Sequence, residues 1–299
     1  MPTAPANGIE LYYEAFGDPA DEPLLLVNGL GSQCITYETE FCDAFVDRGF
    51  FVIRFDNRDV GLSTKIDTPQ LDFAALLAKG FSGEPVEAPY LLSDMAADAI
   101  GLLDHLRIDR AHIVGTSMGG MIVQTMAIEH PSRVATMTSI MSTTGDRDVG
   151  TPTPEAASLL LAPPASSREE YIERYVEQWR VLAGPVHFDD ARFRDKAACV
   201  YDRSYYPAGV GRQLLAIVAS GSRSERLRAL DIPTLVIHGA IDPLVTLSGG
   251  QRTAEVIPGA ELLVFEDMGH DLPPALWPQY VEAITNHASK ARRDDVRTG

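Results

Sequence analysis

Cysteine is scarce in this chain. The 299 residues contain three cysteines, Cys34, Cys42 and Cys199, and no two of them form a CxxC pair. An odd number of widely spaced cysteines argues against a disulfide framework and against a zinc site of the CxxC type. We therefore expect the fold to be held by an apolar core, which a chain of this length can bury without cross-links.

Positive charge is also in short supply. There are 25 Lys and Arg against 42 Asp and Glu, which gives a net charge of −17 at pH 7. A negative field repels phosphate backbones and anionic headgroups, so we expect no nucleic-acid partner. No apolar run approaches the ~18 residues of a membrane span, and residues 1–8 lack the features of a secretory signal. These absences predict a cytoplasmic protein, either a monomer or a homodimer.

Short apolar runs alternate with helix-period segments in two parts of the chain. This alternation is typical of the α/β class, with a mostly parallel sheet flanked by helices. Residues 9–16 alternate with period two and predict an antiparallel edge strand. Buried strands are predicted at 24–27, 51–55, 111–114, 134–141, 234–238 and 261–265, and helices at 91–106, 118–130 and 279–288.

The alternation stops after Ser142, and residues 143–228 contain no strand candidate. Ser167 to Glu170 has the capping-box pattern of a helix start, and a helical apolar stripe follows at 171–182. Two more helices are predicted near 191–201 and 210–220.

These patterns predict three parts of the chain. Residues 1–142 and 229–288 form the α/β core, and residues 143–228 form a helical cap inserted into it. The charged residues 289–299 are interpreted as a frayed, flexible tail.

The segment GTSMG at 115–119 has the pattern G-x-S-x-G. The pattern alone is weak, but a predicted strand ends directly before it and a predicted helix begins within it. Strand, tight turn and helix are the context of a nucleophile elbow, which makes Ser117 the candidate nucleophile. The alternative is a serine in a turn whose glycines serve packing alone.

A serine hydroxyl needs a base to take its proton. His270 lies in a loop after the last predicted strand, and parallel sheets present reactive side chains at such carboxyl ends. His238, at the end of the preceding predicted strand, is the second candidate, and we expect it to be structural. The other five histidines lie in or beside predicted helices and strands or in the insertion, where packing or surface roles are expected.

An acid must orient the histidine, and the chain order in this kind of fold is Ser, acid, His. Asp242 follows a predicted strand and precedes Pro243, which stiffens the turn. Asp146 follows the strand before it and is the competitor. We favour Asp242, and a surface aspartate in a turn is the alternative for both.

An oxyanion hole needs two backbone N–H donors. The residue after the nucleophile, Met118, supplies one in a nucleophile elbow, and a loop after an early strand supplies the other. That loop is residues 28–31, and Leu30 is the predicted donor.

Three neighbouring features have structural interpretations. Arg58 and Asp59, in the turn after the strand at 51–55, are expected to support the floor of the site. Asp56 and Asp59 have no histidine or further carboxylate at ligand spacing, so no metal site is predicted. Cys34 is expected to be a packed thiol.

The predicted cap carries an aromatic stripe at Tyr171, Tyr175 and Trp179. Aromatic residues at helical spacing usually pack a core. The alternative is that Tyr175 or Trp179 lines a substrate pocket.

The elbow at 115–120, the turn at 55–63, Asp242-Pro243 and Gly269-His270 together resemble the α/β-hydrolase superfamily over residues 9–288. Further segments are similar to bacterial esterases of the aclacinomycin-methylesterase group; they are 16–21, 52–59, 109–114 and 269–273. The resemblance implies hydrolysis of a small-molecule carboxylic ester without a cofactor. Asn28 departs from it, because many members have His there.

Other activities fit the same residues. A C–C bond hydrolase or a lactonase would use the same triad, and a small-molecule receptor of this fold would keep it without turnover. Serine at position 117 argues against haloalkane dehalogenase and epoxide hydrolase chemistry, which in this fold use aspartate as the nucleophile.

Overall fold

The computed structural model describes residues 2–68 and 71–298, and the strands among them form one sheet. The strands are β1 Thr3–Ala6, β2 Ile9–Phe16, β3 Glu22–Val27, β4 Phe50–Phe55, β5 Ala111–Thr116, β6 Val134–Ile140, β7 Thr234–Gly239 and β8 Glu261–Phe265. Their order is β1-β2-β4-β3-β5-β6-β7-β8. The pairs β1/β2 and β2/β4 are antiparallel, and the remaining pairs are parallel. The predicted α/β class with a mostly parallel sheet is confirmed.

The strand order changes direction between β3 and β5. From β3 the chain adds β4 on one side and then returns to add β5 on the other. Ligands of open α/β sheets bind at such a switch point, beside the carboxyl ends of the strands. Because β3 ends at Val27 and β5 at Thr116, this crevice lies next to residues 28–31 and Ser117.

Helices cover both faces of the sheet. They are α1 Thr39–Val46, α2 Phe73–Ser82, α3 Leu92–His105, α4 Met118–Glu129, α5 Pro154–Leu160, α6 Arg168–Leu182, α7 Asp190–Arg203, α8 Pro207–Ser220, α9 Ser224–Leu227, α10 Ser248–Val256 and α11 Trp277–Thr298. No helix in the described ranges is both long enough and apolar enough to cross a membrane.

Strand β3 shows why the strands read as continuous apolar runs. Leu25 and Val27 point into a core shared with α3 and α4, whereas Leu24 and Leu26 point into a core shared with α1 and α11. All four side chains are fully buried. A strand covered on both faces needs apolar residues at successive positions rather than an alternating pattern.

The helices α5 to α9 lie between β6 and β7, where the sequence predicts a helical insertion. We call residues 154–227 the inserted helices. Every residue from 143 to 228 is described, and none lies in a strand. Ser167 caps α6 by accepting a hydrogen bond from the N–H of Glu170. The helices α6 and α7 share a small apolar cluster in which the ring of Trp179 stacks on Phe193 with centroids 5.1 Å apart.

Two segments at the base of the inserted helices lie against each other: 143–146, which follows β6, and 221–224, which connects α8 to α9. A Cβ atom on Gly145 would lie 2.5 Å from the carbonyl oxygen of Gly221, which leaves no room for a side chain. Both glycines have positive φ. The segment after β6 and the connection between α8 and α9 are therefore in close backbone contact.

The first strand corrects the sequence prediction. Strand β2 was expected at the edge of the sheet, but β1 pairs with it and takes the edge. The two strands are joined at Asn7 and Gly8, which have φ values of 49° and 80°. Strand β1 gives a weak sequence signal because it is four residues long and contains Pro5, which only an edge strand or a strand start tolerates.

The C-terminal helix also differs from the prediction. Helix α11 continues to Thr298, although residues 289–299 were expected to be a frayed tail. Ala288 and Ala291 are 1% and 7% exposed, so the buried face of the helix continues past its predicted end. Lys290, on the same turn of α11 as Ala291, forms an ion pair with Glu261 of β8. Residue 299 lies outside the described residues. Helices α1, α2 and α10, and the individual helices α5 and α9 of the insertion, have no counterpart among the predicted helices.

Candidate active site

Ser117 lies in the turn between β5 and α4, with φ = 55° and ψ = −119°. A positive φ is unfavourable for a residue with a Cβ atom, and such strain concentrates at functional sites. The backbone holds it in place, because Ser117 N–H donates to the carbonyl of Ile140 at 2.9 Å and its own carbonyl accepts from Ser142 Oγ at 2.7 Å.

The glycines of the motif are required by contact distance. A Cβ atom on Gly115 would lie 2.1 Å from the carbonyl oxygen of Gly119. A Cβ atom on Gly119 would lie 2.0 Å from the carbonyl oxygen of Val27. The turn is therefore compressed against its own helix and against the end of β3, as a nucleophile elbow requires.

His270 and Asp242 form a buried pair. The Nδ1 atom of His270 lies 2.7 Å from Oδ2 of Asp242, and the two residues are 5% and 3% exposed. The other oxygen, Oδ1, accepts hydrogen bonds from the N–H groups of Leu244 and Val245 at 2.8 and 2.9 Å. The carboxylate is thus fixed in orientation, and Nε2 of His270 is left for a different partner.

His238 lies beside this pair rather than in it. Its Nε2 atom donates to the carbonyl of Val245 at 2.7 Å and is 3.6 Å from Oδ2 of Asp242. Burial lowers the pKa of His238, against the opposing effect of the Asp242 carboxylate. A neutral His238 does not compete with His270 for the negative charge of Asp242. This agrees with the structural role predicted for His238.

Asp146 lies elsewhere. Its carboxylate accepts hydrogen bonds from Ser222, from Ser224 at 2.5 Å and from Arg252 at 2.8 Å. Asp146 therefore joins the segment after β6 to the connection between α8 and α9 and to α10. The structure brings Asp242, and not Asp146, to His270.

The backbone of the His270 loop is bonded to the inserted helices. The N–H of His270 donates to the carbonyl of Leu182, at the end of α6, at 2.6 Å. The next residue, Asp271, lies 3.4 Å from the guanidinium of Arg192 in α7. The position of the histidine thus depends on the position of the inserted helices.

Ser117 and His270 line one cavity with a volume of about 80 Å³. Typical ligand sites measure roughly 300–1,000 Å³, so this one holds only a short chain unless the inserted helices move. The residues that line it are Asn28, Gly29, Leu30, Ser32, Thr36, Tyr37, Thr116, Ser117, Met141, Trp179, Lys196, His270, Asp271 and Leu272.

The loop at 28–31 presses against the serine. A Cβ atom on Gly29 would lie 3.2 Å from Cβ of Ser117, and Leu30 lies in the cavity wall. The buried side chain of Asn28 anchors the loop by donating to the carbonyl of Phe55 at 3.3 Å. Met118 is the first residue of α4, so its N–H is one of the helix N–H groups that have no partner within the helix. Met118 thus follows Ser117 directly, and Leu30 lies in the same cavity wall as Ser117.

The turn after β4 holds charged side chains in buried ion pairs. Arg58 forms two 2.6 Å hydrogen bonds with Asp98 of α3, and Asp59 forms two 2.8 Å bonds with Arg212 of α8. Asp56 accepts from the N–H of Cys34 at 2.7 Å. Both carboxylates of this turn, Asp56 and Asp59, are therefore hydrogen-bonded to neighbouring groups: Asp56 to the backbone of Cys34, and Asp59 to Arg212 of the inserted helices.

Cys34 itself is fully buried, and burial raises the pKa of its thiol. A raised thiol pKa makes the reactive thiolate rare at neutral pH. Cys34 is a packed thiol, as expected.

The two aromatic candidates of α6 separate in the structure. Trp179 lies in the cavity wall. Tyr175 is not among the lining residues; it packs between Tyr171 and Trp179, with ring centroids at 5.7 and 5.8 Å. Tyr175 therefore packs within the aromatic cluster, as the first interpretation predicted. Trp179 lies where the second interpretation, a residue that lines the substrate pocket, requires it.

Lys196 and Asp271 are cavity residues that the sequence does not reveal. Lys196 belongs to α7, whose charged positions look like a solvated face. Asp271 directly follows the candidate base His270, and this adjacency was the one sequence feature that could have indicated its position in the cavity.

Comparison with known proteins gives a consistent picture. A family described as alpha/beta hydrolase fold matches residues 22–273. The chain is 32% identical to rhodomycin D methylesterase of Streptomyces peucetius over 97% of this chain and 99% of that protein. It is 28% identical to 3-oxoadipate enol-lactonase 2 of Acinetobacter baylyi over 88% of both proteins. The crystallised meta-cleavage product hydrolase of Pseudomonas fluorescens superposes with a TM-score of 0.75 at 21% identity, covering 97% of this chain and 98% of that one.

Proposed function

This chain belongs to the alpha/beta hydrolase family, and on that premise we propose that it hydrolyses a small-molecule carboxylic ester through an acyl-enzyme on Ser117. The observation that carries the proposal is the 2.7 Å contact between His270 and Asp242, with His270 and Ser117 in the wall of one cavity. The similarity to a methylesterase over nearly the full length of both chains supports the ester as the substrate class.

In the first step, Ser117 Oγ forms a bond to the ester carbonyl carbon while Nε2 of His270 takes the hydroxyl proton. The carbonyl oxygen becomes an oxyanion, which accepts hydrogen bonds from the N–H groups of Leu30 and Met118. The position of Ser117 at the N terminus of α4 also favours the developing negative charge.

Collapse of this intermediate breaks the bond to the alcohol, which leaves with the proton that His270 returns to it. The acyl group stays on Ser117. Water then attacks the acyl carbon, with His270 again acting as the base, and the carboxylic acid is released. Asp242 keeps the proton of His270 on Nδ1 throughout, so that Nε2 is free to accept.

The same residues could hydrolyse a lactone, which is a cyclic ester, and the similarity to an enol-lactonase supports this alternative substrate class. A C–C bond hydrolase is the further alternative. The distinction lies in the bond that is broken, so a p-nitrophenyl ester series and a vinylogous diketone should be compared directly. The cytoplasmic location and the monomeric or homodimeric state remain predictions.

The decisive experiment combines a fluorophosphonate probe with Ser117→Ala. We expect the wild-type protein to be labelled at Ser117 and to hydrolyse p-nitrophenyl esters, and we expect the variant to lose labelling and at least about 10³-fold in kcat. Ser158→Ala is the matched control and should keep both labelling and activity, because Ser158 is an exposed serine of α5 whose hydroxyl donates to the carbonyl of Glu155. A wild-type protein that is not labelled would favour the non-catalytic receptor instead.

A further inference from the structure

The wall of the cavity contains a lysine whose amino group is poorly satisfied. Lys196 Nζ lies 3.3 Å from the carbonyl oxygen of Thr36 and 3.4 Å from Oε1 of Glu38. Charge-assisted hydrogen bonds normally measure about 2.7–2.9 Å, and an ammonium has three N–H donors. The two contacts are long, and they leave at least one donor available.

The carboxylates near Lys196, those of Glu38 and Asp271, also pair with a second cation, Arg192. Glu38 Oε1 accepts from Arg192 at 2.7 Å, and Asp271 also lies against Arg192 at 3.4 Å. Only 11% of the Lys196 side chain is exposed. Burial lowers the pKa of Lys196, although Asp271 opposes the shift. A buried cation without full hydrogen bonding is unfavourable, so an incoming acceptor would be bound.

We propose that Lys196 is a specificity-determining residue that donates a hydrogen bond to a second, uncharged oxygen of the ester substrate. The inference rests on the proposed ester hydrolysis at Ser117 and adds the class of ester: one that carries a ketone or hydroxyl oxygen a few atoms from the scissile carbonyl. An uncharged oxygen fits better than a carboxylate, because Asp271 lines the same cavity and repels a second negative charge.

The test compares two p-nitrophenyl esters of equal chain length, the pentanoate and the 4-oxopentanoate, with the wild-type protein and with Lys196→Met. We expect the variant to lose about tenfold in kcat/KM for the oxo ester and less than about twofold for the plain ester, since a hydrogen bond to a charged group is lost only in the first case. Taking the ratio of variant to wild type for each ester cancels the different intrinsic reactivities of the two esters.

Two further variants make the outcome specific. Lys290→Met removes an exposed ammonium that pairs with Glu261, and it should leave both ratios unchanged. Lys196→Gln keeps an uncharged donor and should recover part of the preference for the oxo ester. Equal losses on both esters, or an unchanged preference in Lys196→Met, would overturn the inference while leaving the proposed function intact. Wild-type protein that hydrolyses neither ester would instead contradict the proposed function and the inference together.

Discussion

The N–H of His270 donates a 2.6 Å hydrogen bond to the carbonyl oxygen of Leu182, the last residue of α6. The side chain of the candidate base is thus oriented from the sheet by Asp242, whereas its backbone is held by the inserted helices. A displacement of the inserted helices would therefore move the histidine as well as open the cavity.

Gly269 makes this coupling testable. A Cβ atom there would lie 2.2 Å from the carbonyl oxygen of Leu182, so Gly269→Ala must push the loop and α6 apart. We expect kcat/KM for p-nitrophenyl butanoate to fall at least tenfold, because a misplacement of about 1 Å can cost ~10²-fold. Gly49→Ala is the control: Gly49 has a φ of 81° but no neighbour within 4 Å of the added Cβ, so stability should fall slightly and kcat/KM should stay the same.

Asp242→Asn should preserve the packing of the site and remove most of the activity. The amide can no longer hold the proton of His270 on Nδ1, and the loss in comparable triads reaches ~10⁴-fold in kcat. Steady-state kinetics should be combined with melting temperatures to show that the fold is intact. If Asp146→Asn reduced kcat more than Asp242→Asn, the assignment of the acid would be wrong.

Asp146 should instead contribute to stability, and its contribution should depend on pH. Burial alone would raise the pKa of Asp146, but hydrogen bonds from Ser222, Ser224 and Arg252 outweigh it and lower the pKa from 3.8 to about 2. A lowered pKa in the folded state stabilises the protein above about pH 4, and this effect is lost as the pH falls towards 2. Allowing for solvent screening, we expect about 1 kcal/mol.

The measurement is urea unfolding of the wild type and Asp146→Asn between pH 7 and pH 3. The difference in free energy of unfolding should be largest at pH 7 and should shrink on acidification. Asp148→Asn is a matched control, because Asp148 also pairs with Arg252 but is exposed. A difference that is constant with pH would contradict the role of the Asp146 charge.

The central strands β3 to β7 were predictable because burial on both faces leaves a direct trace in the sequence. The strand at 261–265 is present, but it is not buried as predicted, because β8 lies at the edge of the sheet and its residues are exposed or half-buried. The run Leu24 to Val27 is apolar throughout, and each of its residues is fully buried. The short edge strand β1 leaves no such trace, since it has one covered face and includes Pro5. The continuation of α11 past residue 288 was not predicted for a related reason: Ala291, a single alanine among charged residues, gives little evidence of a buried helix face.

The candidate site was predictable to the extent that its residues follow strands. Ser117, Asp242 and His270 each come after a strand of the parallel sheet, and the carboxyl ends of such strands share one edge. Both Asp242 and Asp146 follow strands; the sequence favoured Asp242, and Asp242 is the aspartate that lies against His270. Lys196 could not be predicted, since only the packing of α7 over the cavity distinguishes it from a solvated lysine.

Trp179 is expected to set chain-length preference. The cavity of about 80 Å³ should favour short esters, and Trp179→Ala should enlarge it. We expect the ratio of kcat/KM for the octanoate to that for the butanoate to rise by about tenfold, since each added methylene is worth up to ~0.8 kcal/mol when buried. Tyr175→Ala is the control from the same aromatic cluster: it should lower the melting temperature without changing this ratio. A large loss of stability in Trp179→Ala with an unchanged ratio would favour a packing role.

The final prediction is a preference for esters over amides. The oxygen of an ester leaves readily as an alcohol when Nε2 of His270 delivers a proton to it, whereas an amine must be protonated on a weakly basic nitrogen while the bond breaks. A peptidase would need further groups, such as acids that bind a substrate amino terminus. The acidic candidates of α6 are engaged elsewhere, because Glu170 pairs with Arg174 and Glu173 with Arg194 on the exposed side of the inserted helices. We therefore expect short and medium p-nitrophenyl esters to be hydrolysed at rates far above those of the matching p-nitroanilides, with unchanged rates in the presence of EDTA. Similar kcat/KM values for an aminoacyl p-nitroanilide and an ester would contradict the assignment.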